Sequence, residues 1–254
     1  MQNVFFILLI SVLAGFFTLF GCFFTFGGSK SSRMISFALS FAGGIMIGVC
    51  FSDLLPNALS VFIAINGKAG ILMLILFLLT GVIFAKFIDN WIHHKLEQNR
   101  KNLPAHDLYK TGVVSLIAIL LHKFPEGIAL FAAGSQNITL GITIALAIAV
   151  HNFPEGIAIA VPIYYATGSR LKAFRYTFFA AVAEPFGVIL AASLLRPFIN
   201  PFLMGTIFSF VVGVMLCISF DELLPSAGEY GHKNIGLAGL FLGISLMLLS
   251  DIFI

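Results

Sequence analysis

The chain has 254 residues, 59% of them hydrophobic and only 10% charged, with a formal net charge of +3. A soluble domain carries about a quarter charged residues, so this composition argues against a soluble enzyme or binding module. Charge-free stretches at 3–26, 34–52, 69–85, 197–220 and 234–250 match the roughly 20 apolar residues that a helix needs to cross the hydrocarbon core. An outer-membrane barrel would instead show alternating segments near ten residues long. The fold class is therefore an all-α membrane protein.

Eight spans are predicted, at about 3–26, 35–60, 69–92, 111–133, 138–166, 171–195, 201–226 and 235–253, within a single transmembrane domain covering 1–254. The first lacks a basic leader and an A-x-A pattern, so it reads as a retained helix and not a signal peptide. Turn chemistry separates the spans: GGSKSSR at 27–33, NGK at 66–68, GSQN at 134–137, TGSR at 167–170, and Pro197 to Pro201. The one long polar connection is 93–110, which carries His93, His94 and His106. Cys22, Cys50 and Cys217 lie in apolar stretches without a C-x-x-C pair; they read as small buried residues, not as disulfides or thiolate ligands.

Loop charge sets orientation, because Lys and Arg favour cytoplasmic loops. Ten basic residues (Lys30, Arg33, Lys95, Arg100, Lys101, Lys110, Arg170, Lys172, Arg175 and Lys233) fall on one side of the eight-span plan, against two, Lys68 and Arg196, on the other. Both termini are thus expected outside the cell membrane. The basic excess is a topology signal and gives no reason to invoke nucleic acid.

The sequence also repeats itself. HKFPEGIAL at 122–130 recurs 29 residues later as HNFPEGIAI at 151–159. FAGGIMIGVCFSDLLPNA at 41–58 recurs 169 residues later as FVVGVMLCISFDELLPSA at 210–227. In the eight-span plan each pair runs in opposite directions. Inverted repeats are common in secondary transporters, whose binding sites lie near mid-membrane at the repeat interface. The expected arrangement is 3+2+3, with the first three spans mirroring the last three around a central pair.

That central pair carries the chemistry. Ionisable groups inside spans are costly, about 2.5 to 3.5 kcal/mol each for Asp, Lys or Arg, yet Lys123, Glu126, Glu155 and Glu184 sit well inside, beside His122 and His151. His122 and Glu126 share one helical face, and His151 and Glu155 repeat the geometry on the next span. Two imidazoles and two carboxylates suit zinc, and also iron, cobalt or nickel. The structural alternative is a buried salt-bridged network, but Lys123 cannot neutralise three glutamates alone. Pro125 and Pro154 precede the glutamates and free the carbonyls of Leu121 and Val150, which is tolerated in a membrane where they face a cavity or ligand. Kinks are expected at these prolines and at Pro185.

With HKFPEG and HNFPEG on consecutive spans and AEPFG on the next, the chain resembles the ZIP family of divalent-metal transporters, in its bacterial zinc-uptake form, over essentially its whole length. The resemblance implies a mid-membrane metal site between the fourth and fifth spans. By motif position His122, Glu126, His151 and Glu155 match the family's first site; Glu126, Glu155, Asn152 and Glu184 match its second. Where the family often has Asn after the first His, this chain has Lys123. An ammonium there would occupy or repel a second cation, unless the side chain turns away and snorkels, which mid-helix placement makes difficult. The family often has a metal-holding His-rich loop where His93, His94 and His106 stand; here the loop is short and reads equally as plain solvated chain.

Asp53 near the outer end of the second span, and Asp221 and Glu222 at the inner end of the seventh, read either as entry and exit groups for a cation or as helix-end polarity. A membrane metalloprotease would show H-E-x-x-H, and a membrane di-iron enzyme would need several more clustered histidines; neither is present. The expected function is a transporter, not an enzyme, moving zinc inward, with iron, manganese and cadmium as further cargo and no cofactor. Its partners are the metal ions and the bilayer, with pairing into a homodimer left open.

Overall fold

The computed structural model describes residues 2–27, 31–97 and 106–253, and every regular element among them is helical. In chain order these are α1 (Gln2–Gly27), α2 (Ser32–Val49), α3 (Leu55–Asn66), α4 (Gly70–Glu97), α5 (His106–Gln136), α6 (Ile138–Thr167), α7 (Arg170–Leu190), α8 (Pro201–Ile218), α9 (Leu224–Gly228) and α10 (Lys233–Phe253). Helix starts follow the turn residues. Ser31, Asn137, Ser169 and Asn200 are N-caps whose side chains accept from the backbone N–H of Met34, Thr139, Lys172 and Leu203, meeting donors that would otherwise lack partners. Reversals fall on Gly67, at φ 57°, and Gly168, at φ 68°, where a Cβ would be strained.

Three π-helical turns join the rods: Cys50–Leu54 links α2 to α3, Ala191–Leu195 ends α7, and Ser219–Leu223 links α8 to α9. Each ends two residues before a proline, Pro56, Pro197 or Pro225. The proline ring would strike the carbonyl four residues back in a regular α-helix, and that carbonyl, of Ser52, Ser193 or Asp221, lies inside each wide turn. By contrast, the α-helix continues unbroken through Pro125, Pro154, Pro162 and Pro185, so the prolines beside the glutamates are absorbed without a break in helix type.

Among the described residues, six segments are long and apolar enough to cross a membrane: Val4–Gly27, Ser32–Ile92, Leu108–Ser135, Ile138–Thr167, Arg170–Leu195 and Pro201–Gly228. Ser32–Ile92 runs for 61 residues and contains the reversal at Gly67, while Lys233–Leu249 is apolar but shorter. Many large apolar side chains face outward, among them Phe5, Leu72, Ile83, Phe87 and Phe198, as expected where lipid replaces water.

The helices pack in two groups. α1, α5, α6 and α7 pack on one another; α2 packs on α10, and α4 and α3 pack on α8. The groups meet chiefly where α2 lies on α6 and α5 lies on α8. Glycines set the closest approaches. A Cβ on Gly127 would strike the Glu184 carbonyl on α7, and one on Gly156 the Thr18 carbonyl on α1. These are the residues directly after Glu126 and Glu155, so the same positions that carry the ligands bring the helices together.

Candidate metal site

α5 and α6 bring the duplicated motif face to face. His122, Lys123, Glu126, His151, Asn152, Glu155 and Glu184 are all buried, with Lys123, Asn152 and Glu184 at 0% exposure. His151 Nε2 and Glu126 Oε1 lie 2.6 Å apart. His122 Nε2 lies 2.9 Å from the same oxygen and 3.4 Å from Glu155 Oε1. The two imidazole centroids are 6.0 Å apart.

Lys123 points inward and does not snorkel. Its Nζ lies 2.7 Å from Glu155 Oε2 and donates to Asn152 Oδ1. Asn152 Nδ2 in turn donates to Glu184 Oε2 at 3.1 Å and to the Ala14 carbonyl at 2.9 Å. One ammonium and one amide thus tie α1, α5, α6 and α7 together behind the imidazoles. Lys123 and the carboxamide fill the side of the cluster that faces Glu184.

The donor set fits a cation. His122 Nδ1, Glu126 Oε2 and Glu184 Oε1 are buried with no hydrogen-bond partner, a costly state for polar atoms. Ligand atoms of His122, His151 and Glu155 all lie within 4.8 Å of one another. Tetrahedral zinc with bonds near 2.0–2.1 Å sets its ligands about 3.3 Å apart, so a small inward shift would close the set on an ion. Three carboxyl groups facing one ammonium leave room for a divalent charge.

The outlying groups separate by environment. Asp53 is exposed and accepts from Asn57 Nδ2 at 2.6 Å. Asp221 is exposed and pairs with Lys86. Glu222 is 7% exposed and lies 3.0 Å from Lys110 Nζ. His94 is exposed on α4; residues 98–105, the middle of the loop weighed as metal-holding, lie outside the described residues, as do the side chains of His93 and His106.

Sequence reasoning missed the Ala14 carbonyl, which leaves no letter to read. It also missed Asp89, which pairs with Lys110 at 2.8 Å; an ionisable residue within the third predicted span was the available signal.

An all-helical chain with several crossing-length apolar segments and a buried nest of imidazoles and carboxylates is a multi-pass membrane protein equipped to hold a cation. The family described as ZIP Zinc transporter matches residues 93–251. The zinc transporter ZupT of Streptococcus mutans is 39% identical over 257 residues, covering 98% of this chain and 97% of that protein. ZupT of Oceanobacillus iheyensis is 39% identical over 263 residues, covering 98% of each, and that of Chlorobium luteolum 39% over 254 residues, covering 96% of each. The chain belongs to the ZIP family of zinc transporters: it is a transporter and not an enzyme, and zinc is its cargo, not a cofactor.

Proposed function

We propose that the chain carries zinc inward across the cell membrane, with iron, manganese and cadmium as further cargo, through a site made by His122, Glu126, His151 and Glu155 between α5 and α6. The observation that carries this reading is the convergence of two imidazoles and two carboxylates, all buried, on adjacent apolar helices. Inward passage of a divalent ion gains about 4.6 kcal/mol at 100 mV, at about 2.3 per charge, so entry needs no nucleotide.

The same reading takes the chain as one transmembrane domain with eight crossings in a 3+2+3 plan. Support comes from Ser32–Ile92, an apolar segment of 61 residues that reverses at Gly67 and is long enough for two crossings; α10, apolar but shorter, is taken as the eighth. The packing supports the inverted repeat. Gly44 on α2 approaches the Leu240 carbonyl on α10, and Gly213, 169 residues on, approaches the Leu78 carbonyl on α4. Gly156 meets α1 as Gly127 meets α7. The two π turns at 50–54 and 219–223 stand at equivalent places in the repeat.

Zinc flux into proteoliposomes tests the function, and Glu155→Ala and His151→Ala test the site. Each variant should insert normally and lose uptake, because each removes one member of a four-ligand set and ligand losses cost at least about 10–100-fold in metal affinity. Wild-type flux in a correctly inserted Glu155→Ala protein would refute the site.

A further inference from the structure

A groove of about 1000 Å³ runs along the seam where α5 and α7 of one helix group face α8, and Phe77 of α4, in the other. Its walls are apolar, with Leu121 and Phe124 from α5, Val182 and Phe186 from α7, and Leu203 and Phe210 from α8. Pro125 and Pro185 also line it. These are the neighbours in sequence of Glu126 and Glu184, so the groove runs behind two of the turns that carry the buried cluster.

The groove has the dimensions of one leaflet. Its lining runs from Leu203 to Val211 on α8 and from Phe179 to Ile189 on α7. At 1.5 Å per residue these stretches are about 12 and 15 Å long, and half of a hydrocarbon core of about 30 Å is about 15 Å. Leu195 and Leu203 line the end where α7 closes and α8 begins. Two polar groups stand toward that end. Thr206 is the one polar side chain of the lining, and its Oγ1 is buried without a hydrogen-bond partner, a donor that the protein leaves unmet at a cost. Arg196 follows Leu195 at the rim; it is exposed and has no carboxylate paired with it among the described residues.

We propose that this groove is a site for one anionic phospholipid from the leaflet at the Arg196 end. One acyl chain lies along α7 and α8, an ester oxygen accepts from Thr206, and the phosphate sits beside Arg196. Left unfilled, apolar walls of this extent would forfeit their dispersion contacts on one side, and a hydrocarbon chain restores them. The unpaired guanidinium selects a net negative headgroup over a zwitterionic one. The seated chain packs against the turns that bear Glu126 and Glu184 and joins the two helix groups through apolar contact.

Native mass spectrometry of the full-length protein tests the site, after exchange into detergent from a mixture of phosphatidylglycerol and phosphatidylcholine with the same acyl chains. Wild type should retain one lipid per chain and prefer phosphatidylglycerol about fivefold, which is what one basic residue near the membrane surface supplies. Val182 is 40% exposed, so Val182→Trp fills the groove without crowding the protein interior, and it should lose the lipid. Leu72→Trp, on an exposed position of α4 outside the groove, should keep it. Arg196→Gln should keep a lipid and lose the headgroup preference; an unchanged preference would overturn the placing of the phosphate. The site itself is overturned if wild type retains no lipid, or if Val182→Trp with a normal thermal midpoint retains it. It is also overturned if the groove proves to be filled by a second copy, seen as a lipid-free pair of chains that Val182→Trp separates. Should Val182→Trp fail to fold, Ile189→Trp, at another exposed position of the lining, carries the same expectation.

Discussion

Lys123 decides how many ions the central site can hold. Its ammonium is shared by Glu155 and Asn152, and Asn152 is further committed to Glu184 and the Ala14 carbonyl. One divalent ion and one ammonium balance the charges of Glu126, Glu155 and Glu184. Two divalent ions beside the ammonium would leave excess positive charge where the low dielectric screens it poorly. Purified wild-type protein should therefore bind one zinc per chain at this site, and Lys123→Asn should bind two, as read by elemental analysis of protein washed free of loose metal. Two ions in the wild type, or a count of one unchanged by Lys123→Asn, would defeat the argument. At this scale much was legible. Spacing put His122 with Glu126 and His151 with Glu155 on shared helical faces. The direction in which Lys123 turns was not, since a helical position fixes where a side chain starts and leaves its rotamer to the neighbours. Nor could a sequence disclose that a backbone carbonyl from α1 completes the polar nest.

At the scale of helices, glycine placement matters more than apolar content. α6 lies against α1 at Gly156 so closely that a Cβ would enter the Thr18 carbonyl, whereas a Cβ on Gly228 meets nothing within 4 Å. Overpacking of this kind costs about 1–3 kcal/mol, and α6 cannot retreat without dragging His151 and Glu155. Gly156→Ala should thus lower the thermal midpoint in detergent and weaken zinc binding together, while Gly228→Ala leaves both unchanged; equal midpoints for the two variants would count against the packing argument. The all-helical class was readable, because apolar length and turn residues set the helices, and six of the apolar segments are long enough to cross a membrane among the described residues. The behaviour of the prolines was not. A proline letter states that one hydrogen bond is lost; whether the helix absorbs the ring in place, as at Pro125 and Pro154, or widens into a π turn, as before Pro56 and Pro225, depends on how the surrounding helices hold it.

Across the whole molecule, orientation decides at which end of the bundle a zinc ion, driven inward by the membrane potential, enters. The two ends differ in charge. In the eight-span plan Lys30, Arg33, Lys95, Arg100, Lys101, Lys110, Arg170, Lys172, Arg175 and Lys233 are expected on the side of loop 93–110, and Lys68 and Arg196 on the other. Basic residues near span ends are retained on the cytoplasmic side during insertion, and ten against two is a large bias for loops this short. The end near 98–105 should therefore face the cytoplasm, with both termini outside, Asp53 near the entry and Asp221 and Glu222 near the exit. In this orientation the membrane potential, negative inside, pulls a divalent ion from the Asp53 end toward Glu222. Single cysteines placed at residue 102 and after residue 254, in a background without the three native thiols, can be read with a membrane-impermeant maleimide. In intact cells the terminal cysteine should label and the residue-102 cysteine should label only after permeabilisation. Labelling of residue 102 in intact cells would invert the molecule, and with it the roles of Asp53 and Glu222, because the same field would then draw the ion in at the Glu222 end.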